Sequence, residues 1–281
     1  MKVSEFTFDS STAHNKIFTR LYEPDGEPKA VLQISHGMAE HSALYKPFCE
    51  YMAQRGFVVV INDHLGHGRS VTSGALYGHF GEKGGLYNVV EDQRNLQSIM
   101  REKYPELPYF LMGHSMGSFL LRTYLYTYPD AVDKAVISGT GWEDPMKVRM
   151  GKLVCKLEEA RIGEKNTSAL VTKLMFGSYN RAFGPVTSPN AWICSDDAVV
   201  AAYDADPLCG FDATVGLARD LLTGVGMNEQ QENLDKMNKQ LPIMFISGCK
   251  DPVGGMAKGV LKCIDAFKRS GCLLYTSDAA D

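Results

Sequence analysis

The first sixty residues follow two different patterns of apolar and polar positions. Residues 3–8 and 17–22 alternate, which is the period of a strand with one buried face, and a polar turn separates them. Residues 30–35 and 57–61 are largely apolar without alternation, and the second run is β-branched. Runs of this kind are typical of short strands buried on both faces of a parallel sheet.

Helical periodicity follows, interleaved with further short apolar runs. The spacing of apolar residues predicts four helices, over residues 45–54, 89–104, 116–128 and 256–269. Three more strands are predicted at residues 109–112, 135–138 and 242–247. Strands that alternate with helices predict an α/β fold with a mostly parallel sheet flanked by helices.

The alternation is interrupted by one long segment. Residues 142–223 are irregular and rich in Met, Lys and Asp. We interpret them as a helical cap inserted above the sheet, so that the core consists of residues 1–141 and 224–271. Trp192, Phe176 and Phe183 fit the interior of this cap better than a pocket lining.

One part of the cap is amphipathic. Apolar residues stand at helical spacing with basic residues between them, in the order Met146, Lys147, Arg149, Met150, Lys152, Leu153, Val154, Lys156 and Leu157. This pattern fits a lid that meets an acyl chain or a lipid surface. It fits a cap helix packed on the core equally well.

Composition narrows the class of protein. The 281 residues are 44% hydrophobic, enough for one large α/β domain with an insertion. The net charge of -4 and the lack of a basic stripe argue against a nucleic-acid partner. No leader pattern opens the chain, and no apolar window is long enough to span a membrane. Seven scattered cysteines without ligand spacing are typical of reduced thiols in a cytoplasmic protein.

The last ten residues differ in character from the rest. Residues 272–281 back-translate readily into a string that resembles a transposon adapter used in sequencing libraries. We interpret them as a non-native tail, and processing scars of this kind are set aside when a fold is inferred. Native sequence then stops near Gly271, and we expect the last strand and helix of the fold to be missing.

The segment Gly113-His114-Ser115-Met116-Gly117 carries the strongest chemical signal. It lies between a predicted strand and a predicted helix, which is the context of a nucleophile elbow. The glycines leave room for the sharp bend that exposes one hydroxyl. Ser115 is therefore the predicted nucleophile. The Met116 amide, at the start of the helix, is a predicted donor to the oxyanion.

The segment 35–42 follows the strand at residues 30–35 and begins Ser-His-Gly. In an elbow fold the loop at this place supplies the second oxyanion donor, which we assign to the Met38 amide. The His36 side chain fits a structural role better than that of a general base. Glu40 and His41 fit a contact with a polar head group as well as a role in bracing the loop. Gly37, Glu40 and His114 are candidate substrate contacts.

Two further loops contain polar residues after a strand. Asp251 follows the strand at residues 242–247 within a Gly-x-x-Asp-Pro turn, where the acid of a Ser-Asp-His triad belongs in chain order. The loop 62–70 holds two histidines, Asp63 and Arg69. Its glycines suit a tight structural turn, and no ligand cluster completes a metal site, which leaves a metal as the minor alternative.

The expected triad lacks one member. The seven histidines all precede Asp251, at positions 14, 36, 41, 64, 67, 79 and 114. None is placed in the sequence to bridge Ser115 and Asp251, since His114 and its neighbour at the elbow point apart. Loss of the base costs a triad enzyme several orders of magnitude in rate. We therefore expect the chain as written to be almost inactive.

These motifs together resemble the α/β-hydrolase superfamily, in particular the monoacylglycerol lipase and lysophospholipase branch, also classed as serine aminopeptidase-like hydrolases. The likeness rests on residues 36–41, 63–70, 113–118 and 248–254, with a similar cap stretch at 203–211. It implies hydrolysis of small lipid-like esters through an acyl-enzyme without a cofactor. In this chain Ser115 would attack, Asp251 would orient the missing histidine, and Met38 and Met116 would donate to the oxyanion.

Other functions stay open on the sequence. An aminopeptidase or amidase of the same fold would need an acidic pocket for a free amine. A non-catalytic binding protein would account for the absent histidine. Haloalkane dehalogenases and epoxide hydrolases use an Asp nucleophile, which the elbow lacks. A transient contact of the cap with a membrane surface is the one macromolecular contact that the sequence suggests.

Overall fold

The computed structural model describes residues 1–12, 14–72, 75–82 and 84–272, together with the backbone of residues 274–280. The strands are β1 (Lys2–Asp9), β2 (Lys16–Glu23), β3 (Ala30–Ser35), β4 (Phe57–Asn62), β5 (Tyr109–His114), β6 (Lys134–Ser138), β7 (Ile243–Gly248) and β8 (Leu274–Ala280). They form one sheet in the order β1-β2-β4-β3-β5-β6-β7-β8. The two β1-β2 and β2-β4 pairings are antiparallel, and the pairings from β4 through β8 are parallel.

Helices cover both faces of this sheet and build the cap. They are α1 (Lys46–Ala53), α2 (Leu86–Lys103), α3 (Met116–Thr127), α4 (Pro145–Ile162), α5 (Ala169–Phe176), α6 (Asp197–Ala205), α7 (Val215–Asn228), α8 (Gln231–Leu234) and α9 (Lys258–Arg269). The predicted α/β architecture, with helices on a mostly parallel sheet, is confirmed. Within the described ranges, no helix is both long enough and apolar enough to cross a bilayer.

Strand β4 explains why its sequence lacks alternation. Val58 and Val60 belong to the apolar cluster beneath α2 and α3, whereas Val59 and Ile61 belong to the cluster beneath α1. Because side chains of a strand point to opposite faces in turn, a strand covered on both faces needs apolar residues at every position. The β-branched run at residues 57–61 is therefore the signature of a central strand.

The end of the chain departs from expectation. The sequence predicted no strand after residue 271, yet the backbone of Leu274–Ala280 pairs in parallel with β7. The absence of the native last strand and helix stays a prediction, because β8 falls within the residues that we interpret as a non-native tail. Ladder bonds use main-chain groups, so an edge strand can form with little regard to side chains. The adapter origin of residues 272–281 stays a prediction, and residues 273 and 281 lie outside the described residues.

A buried arginine joins the two ends of the inserted segment. Arg122 on α3 is fully buried, and its guanidinium donates to the carbonyl oxygen of Gly141 at 2.9 Å and to that of Asn228 at 3.1 Å. Gly141 lies where the chain leaves the sheet, and Asn228 ends α7, which crosses the predicted cap boundary at residue 223. The division into core and cap stays a proposal, and we now place the return at the end of α7.

A carboxylate adds a second bond at the same root. The Glu229 side chain accepts a hydrogen bond from the Glu143 amide at 2.6 Å, again between the two ends of the insertion. Burial raises the pKa of Glu229 to about 7, although Arg122 and Lys262 nearby favour its charged form. Ionisation of Glu229 near neutral pH therefore destabilises the folded state.

Helix α3 lies against the sheet at a distance that only glycine permits. A Cβ added at Gly117 would overlap the carbonyl oxygens of Ser35 and His36, and one added at Gly113 would overlap the carbonyl of Gly117. Backbone cannot move aside as the tip of a flexible side chain can. The two glycines thus set the separation between α3, β3 and β5.

We predict that Gly117→Ala lowers the free energy of unfolding by about 3 kcal/mol, because overpacking against backbone forces the helix away from the sheet. Gly226→Ala in α7 is the matched helical control. Its added Cβ would meet only Val148 Cγ1, at 3.2 Å, and the better helix propensity of Ala offsets that contact. Urea unfolding of both variants checks this, and equal effects of the two substitutions would contradict it.

We predict that Glu229→Gln weakens the pH dependence of stability. The raised folded-state pKa means that stability from this group is complete below about pH 4.5 and is lost as pH rises through about 7. The amide keeps the acceptor oxygen without the charge, so the fall in Tm between pH 5 and pH 8 should shrink. Glu232→Gln, at an exposed position, should leave that fall unchanged, as thermal unfolding at both pH values would reveal.

Candidate active site

Ser115 occupies a strained turn between β5 and α3. Its φ and ψ are 51° and −120°, a region that non-glycine residues rarely adopt and that costs of order 1–3 kcal/mol. The surrounding backbone compensates, since the Ser115 amide donates to the Ser138 carbonyl at 3.0 Å and the Ser118 hydroxyl donates to the Ser115 carbonyl at 2.6 Å. The turn lifts Ser115 above the carboxyl ends of the strands, as the elbow motif predicts.

The loop after β3 lies directly against this turn. An ideal Cβ at Gly37 would come within 3.2 Å of the Ser115 Cβ. The Gly37 amide is already engaged, because it donates to the Glu40 carboxylate, which also accepts from the Tyr45 hydroxyl at 2.7 Å. The next amide along the loop is that of Met38, which has no acceptor among the described residues.

The Met116 amide is equally unengaged within the described part of the chain, as expected for the first residue of a helix. Met38 and Met116 therefore remain the candidate oxyanion donors, on two segments that meet at Ser115. Glu40 braces the loop from inside, which favours the bracing role among the two that the sequence left open.

Histidines beneath the loop are neutral structural groups. His36 Nδ1 donates to the Gly37 carbonyl at 2.7 Å, and His36 Nε2 accepts from the His64 amide at 3.0 Å. Burial lowers the pKa of His36 to about 4 and that of His67 to about 3. Since an imidazole must be reachable and near its ordinary pKa to act as a base, these rings are unsuited to that task.

The loop 62–70 ties the same region together. The Asp63 carboxylate accepts from the Ser42 amide and from the Arg69 amide, both at 2.7 Å, while the Ser70 hydroxyl donates to the Asp63 carbonyl at 2.7 Å. Both carboxylate oxygens of Asp63 thus accept hydrogen bonds that hold its own turn against the loop after β3. These contacts favour the structural interpretation of this loop over a metal site.

Asp251 lies on the loop after β7, on the same side of the sheet as the elbow. Its Oδ1 accepts from the Val253 amide at 2.8 Å, and burial raises its pKa. The His114 ring is near it, because an ideal Cβ at Gly139 would lie 3.2 Å from His114 Cε1 and 3.5 Å from Asp251 Oδ2. His114 Nδ1 instead pairs with the Ser138 hydroxyl at 3.2 Å.

No histidine joins Ser115 to Asp251. All seven histidines are among the described residues, and none of them hydrogen-bonds to the Ser115 hydroxyl or to the Asp251 carboxylate. His14 is exposed between β1 and β2, and the half-buried His79 ring lies beside Gly216 of α7. Ser115, the amides of Met38 and Met116, and Asp251 therefore stay candidates for the nucleophile, the oxyanion donors and the orienting acid, and no histidine of the chain connects Ser115 to Asp251.

The sequence did not predict a role for the cap stretch 203–211, although its likeness was noted. The Ala39 carbonyl accepts from the Tyr203 hydroxyl at 2.7 Å and from the Gly210 amide at 2.9 Å. His41 Nε2 lies 3.0 Å from an Asp206 carboxylate oxygen. The cap stretch and the loop after β3 are thus joined by three hydrogen bonds. The only signal in the sequence is a polar turn, Asp-Pro-Leu-Cys-Gly, inside an otherwise helical insertion.

Comparison with known proteins agrees with this geometry. The family described as "Serine aminopeptidase, S33" matches residues 26–275. A monoacylglycerol lipase of Mycolicibacterium smegmatis is 29% identical over 249 residues, covering 85% of this chain and 78% of the relative. A monoglyceride lipase of Homo sapiens is 28% identical over 240 residues, covering 84% of this chain and 69% of the relative.

Solved structures agree as well. A thermostable carboxyl esterase from Bacillus coagulans, in complex with glycerol, superposes with a TM-score of 0.92 at 28% identity, covering 99% of this chain and 90% of that one. A soluble variant of monoglyceride lipase from Saccharomyces cerevisiae has the same fold, with a TM-score of 0.70 at 16% identity over 98% and 84% of the two chains. The chain therefore belongs to the serine aminopeptidase S33 family of α/β hydrolases and is by descent a serine ester hydrolase.

Proposed function

We propose that this chain carries the machinery for cleaving esters of monoacylglycerol-like or lysophospholipid-like lipids through an acyl-enzyme on Ser115. The observation that carries the proposal is the meeting of the strained Ser115 turn with the unengaged amides of Met38 and Met116. Donors fixed at the place where negative charge develops stabilise the tetrahedral intermediate of acyl transfer. The lipid preference rests on the relatives, which are lipases of monoacylglycerols.

The reaction divides into acylation and deacylation. In acylation the Ser115 oxygen attacks the ester carbonyl, a base takes the hydroxyl proton, and the proton passes to the departing alcohol. In deacylation water attacks the acyl-enzyme with help from the same base. Asp251 would orient that base. This chain supplies no histidine at the place between Ser115 and Asp251, so we expect both steps to be very slow.

The aminopeptidase alternative has less support from the site. To bind the free amine of its substrate, an aminopeptidase needs a carboxylate near the nucleophile that is not already occupied by other hydrogen-bond donors. Glu40, the carboxylate of the loop beside Ser115, is instead occupied by the Gly37 amide and the Tyr45 hydroxyl. The proposal of an ester substrate is accordingly the better fit.

We predict that the chain alone turns over about six orders of magnitude more slowly than an intact serine hydrolase, because removal of the base costs about that much in rate. Added imidazole should raise the rate, since Ser115 is partly exposed and a free base can take the proton that no histidine of this chain accepts. The measurement is hydrolysis of p-nitrophenyl butyrate and of a medium-chain monoacylglycerol, with and without imidazole.

Ser115→Ala is the control for that experiment. Equal stimulation by imidazole in the variant would mean that imidazole acts in solution, and the proposed role of Ser115 would then be wrong. Faster cleavage of amino-acid anilides than of esters would favour the aminopeptidase. Saturable binding of a monoacylglycerol ether without any stimulated hydrolysis would favour the non-catalytic binding protein.

We propose further that the cap makes a transient contact with a membrane surface. Helix α4 buries Val148 and Cys155 against its neighbours, while a stripe on its other face stays exposed. The exposed stripe consists of Met146, Met150, Leu153 and Leu157. Exposed basic residues of the same helix, Lys147, Lys152 and Lys156 among them, adjoin it. An apolar helix face beside lysines suits the interface of an anionic bilayer.

We predict that Leu157→Asp weakens binding to anionic vesicles severalfold, because it places a negative charge within the exposed stripe. Leu261→Asp on α9 is the matched control, since the two leucines are 62% and 58% exposed. Co-sedimentation with phosphatidylglycerol-containing vesicles measures both. The same loss in the two variants, or no binding by the unmodified chain, would count against the contact.

A further inference from the structure

The junction between cap and loop contains an unusual set of side chains. A ring nitrogen of His41, a carboxylate oxygen of Asp206 and Cys209 Sγ all lie within 4.8 Å of one another. His41 is buried on the loop after β3, whereas Asp206 and Cys209 are half-buried on the cap stretch. One nitrogen, one oxygen and one sulfur ligand atom therefore converge from two separate segments of the chain.

The backbone prearranges two of these groups. Residues 206–209 form a turn, in which the Cys209 amide donates to the Asp206 carbonyl at 3.0 Å and the Leu208 amide donates to Asp206 Oδ1 at 2.9 Å. Pro207 fits the second position of such a turn, where its fixed φ is favourable. The two side chains at the corners of the turn are thereby held side by side, facing His41.

The spacing suits a small thiophilic cation. Zinc binds Cys, His and Asp at about 2.0–2.3 Å in a tetrahedron, which puts neighbouring ligand atoms roughly 3.3–3.6 Å apart. The His41 and Asp206 atoms are 3.0 Å apart already. Cys209 Sγ lies within 4.8 Å of both atoms, so a movement of about 1 Å brings it to the spacing of a tetrahedral ligand. Three protein ligands leave a fourth position for water.

We infer that His41, Asp206 and Cys209 form a binding site for a thiophilic divalent cation of the zinc type, which joins the cap to the loop that carries the Met38 amide. Sequence spacing gave no hint of this site, because 165 positions separate His41 from Asp206. The inference concerns binding of the metal and is independent of turnover at Ser115.

Proton changes accompany binding. The Cys209 thiol loses its proton to solvent and the thiolate takes the metal. At present His41 Nε2 must donate its hydrogen to Asp206, since a carboxylate only accepts. On binding, that hydrogen moves to Nδ1 and Nε2 takes the metal. The bond given up at Nδ1 is a contact with the Ala43 amide at 3.4 Å, which is long and therefore weak.

Cobalt(II) provides the direct test, because a cobalt–thiolate bond absorbs in the near ultraviolet and a tetrahedral ion absorbs strongly in the visible. We predict that the metal-free chain develops both bands at one equivalent of Co²⁺ and that Zn²⁺ removes them. Zn²⁺ should also raise the Tm, as expected for a ligand that binds the folded state.

Three variants complete the experiment. Cys209→Ala should abolish the near-ultraviolet band and the Zn²⁺-dependent rise in Tm, and Asp206→Asn should weaken Co²⁺ binding at least tenfold. Cys194→Ala removes another half-buried cap thiol and should change neither readout. The Tm of each variant, measured without metal, reports whether that variant folds. Absence of the bands in the unmodified chain, or their persistence in Cys209→Ala, would overturn the inference.

Discussion

The contact between α3 and the ends of β3 and β5 is the constraint on which the rest of the site depends. Helix and strands approach so closely that residues 113 and 117 must be glycine. This closeness forces the sharp turn at Ser115 and brings the loop after β3 against it. Any side chain at residue 113 or 117 would move the helix and, with it, the Met116 amide. The geometry that we propose for acyl transfer is thus a consequence of backbone packing.

A second layer of interactions keeps the opposite side of the site in place. His36 and Asp63 bind backbone groups of the loop, and Glu40 binds the Gly37 amide from within. Each of these polar groups is desolvated, so each needs its partner. Because the partners are satisfied mutually, the Met38 amide is fixed without contributing to the network itself. Rigid donors of this kind need no reorganisation when charge develops.

Local patterns predicted the elements and the elbow well, and they failed where distant residues meet. The β-branched run of β4 and the Gly-x-Ser-x-Gly segment are local, because covering both faces of a strand and bending at an elbow impose residue types at fixed spacing. The bonds of Arg122 to Gly141 and Asn228 leave no such trace. The pairing of His41 with Asp206 leaves no trace in the sequence either. Two polar residues in distant loops look alike in a sequence whether or not they meet in the fold. The strand β8 was missed for another reason: main-chain pairing at a sheet edge asks little of the side chains.

The position of Arg122 has a consequence for how freely the inserted segment can vary in sequence. The Arg122 guanidinium donates to a carbonyl oxygen at each end of the insertion. Every amino acid has such a main-chain carbonyl group. These two hydrogen bonds therefore do not depend on which side chains the insertion carries. A different cap grafted between Gly141 and Asn228 would find the same anchor, whereas a graft joined within α7 would sever a helix. The anchor at the root of the insertion therefore sets no requirement on the sequence between Gly141 and Asn228.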